Sequence, residues 1–189
     1  MHSEMTHGYD IRAGSRDDIA RIAEIDRTEK IAVEYQCRRS DDGLSIEMIE
    51  KLHDPPMHRP NWSEEGIERR RSWWVREVDA GGCVFVAESR GSVAGIAVLG
   101  PEKPGKCAEL VSLFVGTAHR ARGLGKELLN QLEGKAKDQG IEAIYVGSNE
   151  NENALGFYRR MGYRVVCLMD PSIVWIPGLE TQITLAKQL

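Results

Sequence analysis

The stretch from Leu113 to Leu129, LFVGTAHRARGLGKELL, joins an apolar strand to a helix through a basic turn that contains glycines. The first amides of a helix have no partner inside it and point outward along the axis. With the helix dipole they make a site for an anion, and glycine lets a phosphate come close to the backbone. Arg120, Arg122 and Lys126 add formal charge around Gly123 and Gly125. The dipole itself supplies only ~0.3–1 kcal/mol, so directed amides and basic side chains must carry most of any binding. A Walker A loop would need glycine in place of Arg120 and Ser or Thr in place of Glu127, and a dinucleotide fingerprint would need Gly or Ala in place of Leu128. Both rivals fail on those residues. Taken alone, the stretch also reads as a plain helix start whose charges are solvated.

Working outward, the residues before the turn read as strands. CVFVAES (83–89) and SVAGIAVLG (92–100) flank Arg90-Gly91 as a hairpin, and CAELVSLFV (107–115) is a third strand. Beyond the turn, a helix over about 123–138 puts Leu128, Leu129, Leu132 and Ala136 on one face, with Gly140 as its stop. A strand (IEAIYVGS, 141–148), a helix (NALGFYRRM, 153–161) and a strand (YRVVCLM, 163–169) follow, and TQITLAKQL (181–189) alternates like a final edge strand. Upstream, YDIRAG is a first strand. Ser15 with Asp18 three residues on caps a helix carrying Ile19, Ile22, Ala23 and Ile25, and Ser63 opens another that Gly81-Gly82 closes. Residues 28–60 are the least regular: IAVEYQC and LSIEMIEKL fit strand or helix, and the prolines of HDPPMHRPNW predict a loop. The order predicts an α/β fold, with a mixed, mostly antiparallel central sheet flanked by helices.

Bulk properties set the frame. A chain of 189 residues, 41% hydrophobic and 29% charged, favours one globular domain over 1–189 with an irregular insertion at about 28–62. A net charge of −4 argues against a protein that grips nucleic acid. Cys37, Cys83, Cys107 and Cys167 form no metal-ligand spacing, and the last three sit in apolar runs as small buried hydrophobes. No metal is expected. The polar N-terminus lacks a signal-like apolar stretch, and no apolar run approaches the ~18 residues of a membrane span. The expectation is a cytoplasmic protein with no membrane partner.

Arg120-Ala121-Arg122-Gly123-Leu124-Gly125 resembles the R/Q-x-x-G-x-G/A signature of the GNAT superfamily of N-acetyltransferases. About 30 residues later, Asn151, Ala154, Phe157, Tyr158, Gly162 and Tyr163 resemble its second signature, N-x-x-A-x-x-F-Y followed by a glycine and an aromatic. The resemblance covers roughly 83–167. It implies that the sheet splays at an acetyl-CoA site, with the pantetheine arm lying beside Leu113, Phe114 and Val115. It further implies that the pyrophosphate rests on the amides and side chains of Arg120, Ala121, Arg122, Gly123, Leu124, Gly125 and Lys126, and that Asn151 and Phe157 belong to the cofactor site. Asn151 is equally an N-cap.

The resemblance implies that Tyr158 stands near the thioester sulfur. A free tyrosine has a pKa of ~10 and a thiol about 8.5, so a hydrogen bond to the developing thiolate is the sounder role than full proton transfer. An amine with pKa ~10.4 is protonated at neutral pH, and freeing it costs about 4 kcal/mol, which calls for a carboxylate base. Glu109, the only acid in CAELVSLFV, matches the glutamate of the histone-acetylating branch. Many members place their acid nearer the strand's bulge, where Val111 and Ser112 stand here. Asp26 and Glu29 are further acids of the first helix's end. The insertion, with Tyr35, His53, His58 and Trp62 among Glu34, Asp41 and Asp42, is a candidate acceptor pocket or a surface loop. The expected acceptor is a small-molecule amine. The alternatives are a protein lysine or N-terminus, or a non-catalytic acyl-CoA sensor. A homodimer pairing through the last strand is also expected.

Overall fold

The computed structural model describes residues 4–6, 8–148, 150–169 and 183–189. The chain divides into two compact units, one of Met1–Glu29, Pro60–Ile144 and Leu189, the other of Lys30–Arg59 and Tyr145–Gln188.

In the first unit, β1 (Glu4–Thr6), β2 (Tyr9–Ala13), β5 (Cys83–Ser89), β6 (Ser92–Leu99) and β7 (Cys107–Val115) follow one another in that order across an antiparallel sheet. Positive φ at Arg90 (53°) and Gly91 (81°) makes the expected tight hairpin between β5 and β6. Nearly every side chain of β6 is buried, because helices cover both faces of this part of the sheet. On one face Val84, Val86, Ile96, Val98 and Val111 meet Ile19, Ile22, Ile25 and Trp74. These come from α1 (Arg16–Ala20), the 3-10 turn Arg21–Glu24 with its C-cap Ile25, and α2 (Glu64–Asp79). On the other face lies α3 (Leu124–Asp138), whose Leu128 stands where a side chain at Gly95 would have to go. Leu128, Leu129, Leu132 and Ala136 are all fully buried, as the stripe predicts.

The first helix departs from expectation, since only one α-turn forms before it tightens to 3-10 geometry. Its start is as read: the Asp18 carboxylate accepts from the Ser15 amide (2.8 Å) and hydroxyl (3.0 Å). Arg12 adds a bidentate pair to Asp18 at 2.7 and 2.9 Å and reaches Glu88 at 3.0 Å. The Arg12 guanidinium, aided by the Ser15 donors, holds the Asp18 carboxyl down at about 2 although burial opposes it. A folded-state pKa below the ordinary 3.8 means that this stabilisation is present above pH ~4 and fades as the pH falls toward 2. The difference corresponds to about 2 kcal/mol. Asp18→Asn is therefore expected to lose about that much in urea denaturation at pH 7 and almost nothing near pH 2. An equal loss at both pH values would contradict the linkage.

The second unit corrects two readings. Residues expected to be irregular form a hairpin, β3 (Glu29–Arg39) and β4 (Ile46–Arg59), closed over 40–45 by a bond from the Ser40 amide to the Ser45 carbonyl at 2.9 Å. The strand β4 runs through His53–Arg59, where a loop was expected from the prolines. In a two-stranded ribbon half of the amides face away from the partner, so proline's missing N–H is tolerated.

The strand β8 (Ala143–Ser148) leads through α4 (Glu152–Arg160) to β9 (Arg164–Leu168), and β10 (Ile183–Gln188) lies between β8 and β9. The last strand is thus internal rather than an edge, with Ile183 and Leu185 fully buried. It offers no edge for a second copy. Glu180–Gln182 of the motif ETQITLAKQL lie outside the described residues. The cysteine reading is also corrected. Cys37 is the buried one, Cys83 and Cys107 are half-buried, and Cys167 on β9 is exposed, since that strand leaves Val165 and Val166 open too.

Candidate functional site

The turn that decides the fold is held from beneath by its own side chains. After β7, a 3-10 turn (Thr117–His119) brings the chain against residues 26–28. The Thr117 amide donates to the Asp26 carbonyl (2.8 Å), and its hydroxyl donates to the Thr28 carbonyl (2.7 Å). Arg120 gives Nε to the Val115 carbonyl (3.0 Å) and Nη1 to the Thr28 carbonyl (2.9 Å). The Arg120 guanidinium therefore braces the turn from within.

Arg122 and Lys126, by contrast, are exposed. The backbone on either side of Arg122 is left-handed, at Ala121 (φ 57°) and at Gly123 (φ 81°), the N-cap of α3. Alternating handedness of this kind curls successive N–H groups into an anion-binding concavity. The first i→i−4 bond of α3 is from the Glu127 amide to the Gly123 carbonyl (3.1 Å), so Leu124, Gly125 and Lys126 keep their amides outside that ladder. A Cβ built on Gly123 meets nothing within 4 Å, which leaves open space over the turn. These features fit a pyrophosphate.

Along β7, Ser112 pairs with Val98 and Leu110 with Leu99, so Val111 is the extra residue of a β-bulge. The bulge falls at the Val111-Ser112 position named from the sequence. Alternation from Ser112 and Leu110 places Glu109 on the face that carries Phe114 and the α1–α2 layer. Glu109 is half-buried there. Leu113, Phe114 and Val115 pair with Ala97, Ile96 and Gly95. The Phe114 ring is edge-on to Trp62 (4.8 Å between centroids) and tilted against Trp74 (6.0 Å), so its side chain is a core anchor.

Trp62, read as a pocket residue, is an anchor as well. Its indole donates to the Ile25 carbonyl (2.8 Å), and the guanidinium carbons of Arg27 and Arg70 lie 4.6 and 4.9 Å from the ring centroid. Asp26 accepts from the Thr28 amide (2.9 Å) and hydroxyl (3.1 Å), which makes it part of the same brace.

In the second unit, Asn151 caps α4 by accepting from the Ala154 amide (2.9 Å). It is 1% exposed, and its Nδ2 is buried without a partner among the described residues. That leaves Nδ2 as a donor open to a ligand. Tyr158 is buried on α4 with Phe157 at 5.3 Å and Tyr163 at 5.7 Å between ring centroids. Burial pushes its phenol far above the ordinary tyrosine value. Of the insertion residues, His53 meets Glu34 at 3.4 Å, with Lys51 at 3.8 Å from the same carboxylate, while His58, Asp41 and Asp42 are exposed.

Sequence reasoning missed the bracing role of Thr117 and Arg120, and also Glu152 and Asn153 at the start of α4, whose side chains bond the Ala32 amide and the Lys30 carbonyl. The signal for the latter pair was available as two polar side chains at the open positions of N-x-x-A.

The sequence matches the acetyltransferase (GNAT) family over residues 46–163, well over half its length, and the chain belongs to that family. Among curated relatives it is 27% identical over 114 residues to the L-amino acid N-acyltransferase MnaT of Escherichia coli, covering 57% of this chain and 66% of that one. The fold matches the crystal structure of nourseothricin acetyltransferase with a TM-score of 0.75 at 20% identity, over 96% of this chain and 98% of the other. A Bacillus anthracis protein assigned as a streptothricin acetyltransferase, solved in complex with acetyl coenzyme A, matches with a TM-score of 0.69 at 19% identity over the same shares. The chain spans between 22% and 66% of the length of the first curated relatives it matches. Among the described residues no helix is long and apolar enough to cross a membrane.

Proposed function

We propose that this protein is an N-acetyltransferase that moves the acetyl group of acetyl-CoA directly to the amine of a small molecule, the whole chain serving as one acetyltransferase domain. The observation that carries the reading is the turn from Arg120 to Lys126, with its left-handed backbone, outward amides and the exposed basic side chains of Arg122 and Lys126. Arg122, Lys126 and the amides of Ala121 through Lys126 hold the pyrophosphate, while Arg120 acts through the brace. The backbone of Leu113–Val115 lies along the pantetheine arm, and Asn151 gives its unpaired Nδ2 to the coenzyme, with Phe157 beside it. Acetyl-CoA supplies an activated acyl thioester.

The protein's own tasks are then two. Glu109 takes the proton that keeps the acceptor amine unreactive, directly or through water. Tyr158 donates a hydrogen bond where charge develops on sulfur. Relatives named for amino acids, and fold neighbours named for nourseothricin and streptothricin, favour a small-molecule acceptor. The four cysteines form no disulfide among the described residues, which suits a reducing, cytoplasmic setting.

The test is thiol release from acetyl-CoA against a panel of amino acids, polyamines and aminoglycoside-like amines. Glu109→Gln is expected to lower kcat/KM by about a hundredfold or more near pH 7, as loss of a general base does. The deficit should narrow as the pH rises toward the amine's own pKa, where the free base no longer needs help. A variant equal to the wild type at pH 7 would remove Glu109 from the mechanism.

A further inference from the structure

The segment that presents Asn151 is bonded to the hairpin as well as to α4. Glu34 on β3 bridges Asn151 in antiparallel fashion, and the Tyr35 amide donates to the Glu150 carbonyl at 2.8 Å. The side chains on either side of this bridge reinforce it. The Glu152 carboxylate accepts from the Ala32 amide (3.3 Å), and the Asn153 amide group donates to the Lys30 carbonyl (3.2 Å). So the two positions that N-x-x-A leaves open, Glu152 and Asn153, are both used to hold β3. Asn151 meanwhile keeps one buried Nδ2 with no partner among the described residues.

An unpaired buried donor is unfavourable until a partner arrives. A ligand that satisfies Nδ2 stabilises residues 150–153 in this arrangement, and with them the strand bonded to them. We propose that Glu152 and Asn153 are positioning residues that couple the β3–β4 hairpin to coenzyme binding, so that acetyl-CoA on Asn151 steadies β3 and a docked β3 prepares Asn151. Linkage makes the effect reciprocal. An acceptor held by the hairpin therefore raises the affinity for acetyl-CoA. The inference rests on the reading above that Asn151 contacts the coenzyme.

Hydrogen exchange of the full chain, with and without saturating acetyl-CoA, tests it. Amides of residues 30–36 are expected to exchange about five- to a hundredfold more slowly with acetyl-CoA, the range of ordinary coupling energies, together with slowing at 121–127. In a Glu152→Ala, Asn153→Ala double variant, slowing should persist at 121–127 and vanish at 30–36. Glu152→Gln, which keeps an oxygen for the Ala32 amide, should retain it. Should the double variant fail to fold, the wild-type comparison alone decides. Slowing at 121–127 with none at 30–36 in the wild type would overturn the coupling and leave the coenzyme assignment standing. No slowing anywhere would withdraw both.

Discussion

Arg122→Glu and Gly125→Glu are each expected to weaken acetyl-CoA binding by at least tens-fold in calorimetric titration, with the fold intact. Neither position carries the turn's internal bonds. Those belong to Thr117 and Arg120, which tie the backbone to Asp26, Thr28 and Val115. Arg122 is exposed and Gly125 lies in the first turn of α3, so the new carboxylate faces whatever the outward amides face. Two unit charges ~5 Å apart interact by about 1–3 kcal/mol for effective dielectrics between water and a protein surface. Arg122→Glu reverses a charge and so counts twice. The control is Lys137→Glu, the same change of net charge in the last turn of α3, some ~20 Å along the helix by its rise per residue. It should bind acetyl-CoA as the wild type does. A loss at Lys137→Glu equal to that at Arg122→Glu would mean that overall charge, not the turn, governs binding.

This separation of roles within one motif marks the boundary of what the sequence could tell. Local chemistry was legible. The capping residues Ser15, Ser63 and Asn151, the Arg90-Gly91 hairpin and the buried stripe of α3 each depend on neighbours within a few positions, and each stands where the residues placed it. What depends on distant partners was not legible. Arg120 looks like Arg122 in a string of letters, yet only Arg120 finds two carbonyls to hold. Trp62 looked like a pocket residue, and its ring meets that of Phe114 against the core. The strand Ile183–Gln188 alternates like an edge, and alternation cannot reveal that both its neighbours arrive from elsewhere in the chain. The hairpin at 29–59 escaped for a further reason. Its proline-rich second strand breaks the local rule for strands, and only the two-stranded setting makes that harmless.

The second large effect is expected at Tyr158. Tyr158→Phe should lower kcat by about a hundred- to a thousandfold, the usual result of deleting one donor aimed at developing charge, while the Kd for acetyl-CoA changes little. The substitution removes a single oxygen from a ring held among aromatic neighbours, with the backbone carbonyl of Tyr158 still accepting from the Met161 and Tyr163 amides at 3.0 Å. Packing is therefore preserved and a loss of rate reports chemistry.

The pH profile separates the two forms that this chemistry could take. Burial raises the Tyr158 phenol far above its ordinary value, and a thiol ionises near 8.5, so complete proton transfer to the thiolate is uphill by more than the ordinary gap between them. A neutral, hydrogen-bonded donor should then serve across pH 7–10 with no alkaline limb of its own. The same shift predicts that the folded state loses stability as the pH climbs past ~10, because only the unfolded chain releases that proton readily. An alkaline fall in kcat near the ordinary tyrosine value, absent from Tyr158→Phe, would instead show that the phenol ionises in the working enzyme. A Tyr158→Phe variant within about threefold of the wild type would return Tyr158 to the core and leave the thiolate to find its proton elsewhere, since one donor at such a site is normally worth far more than that.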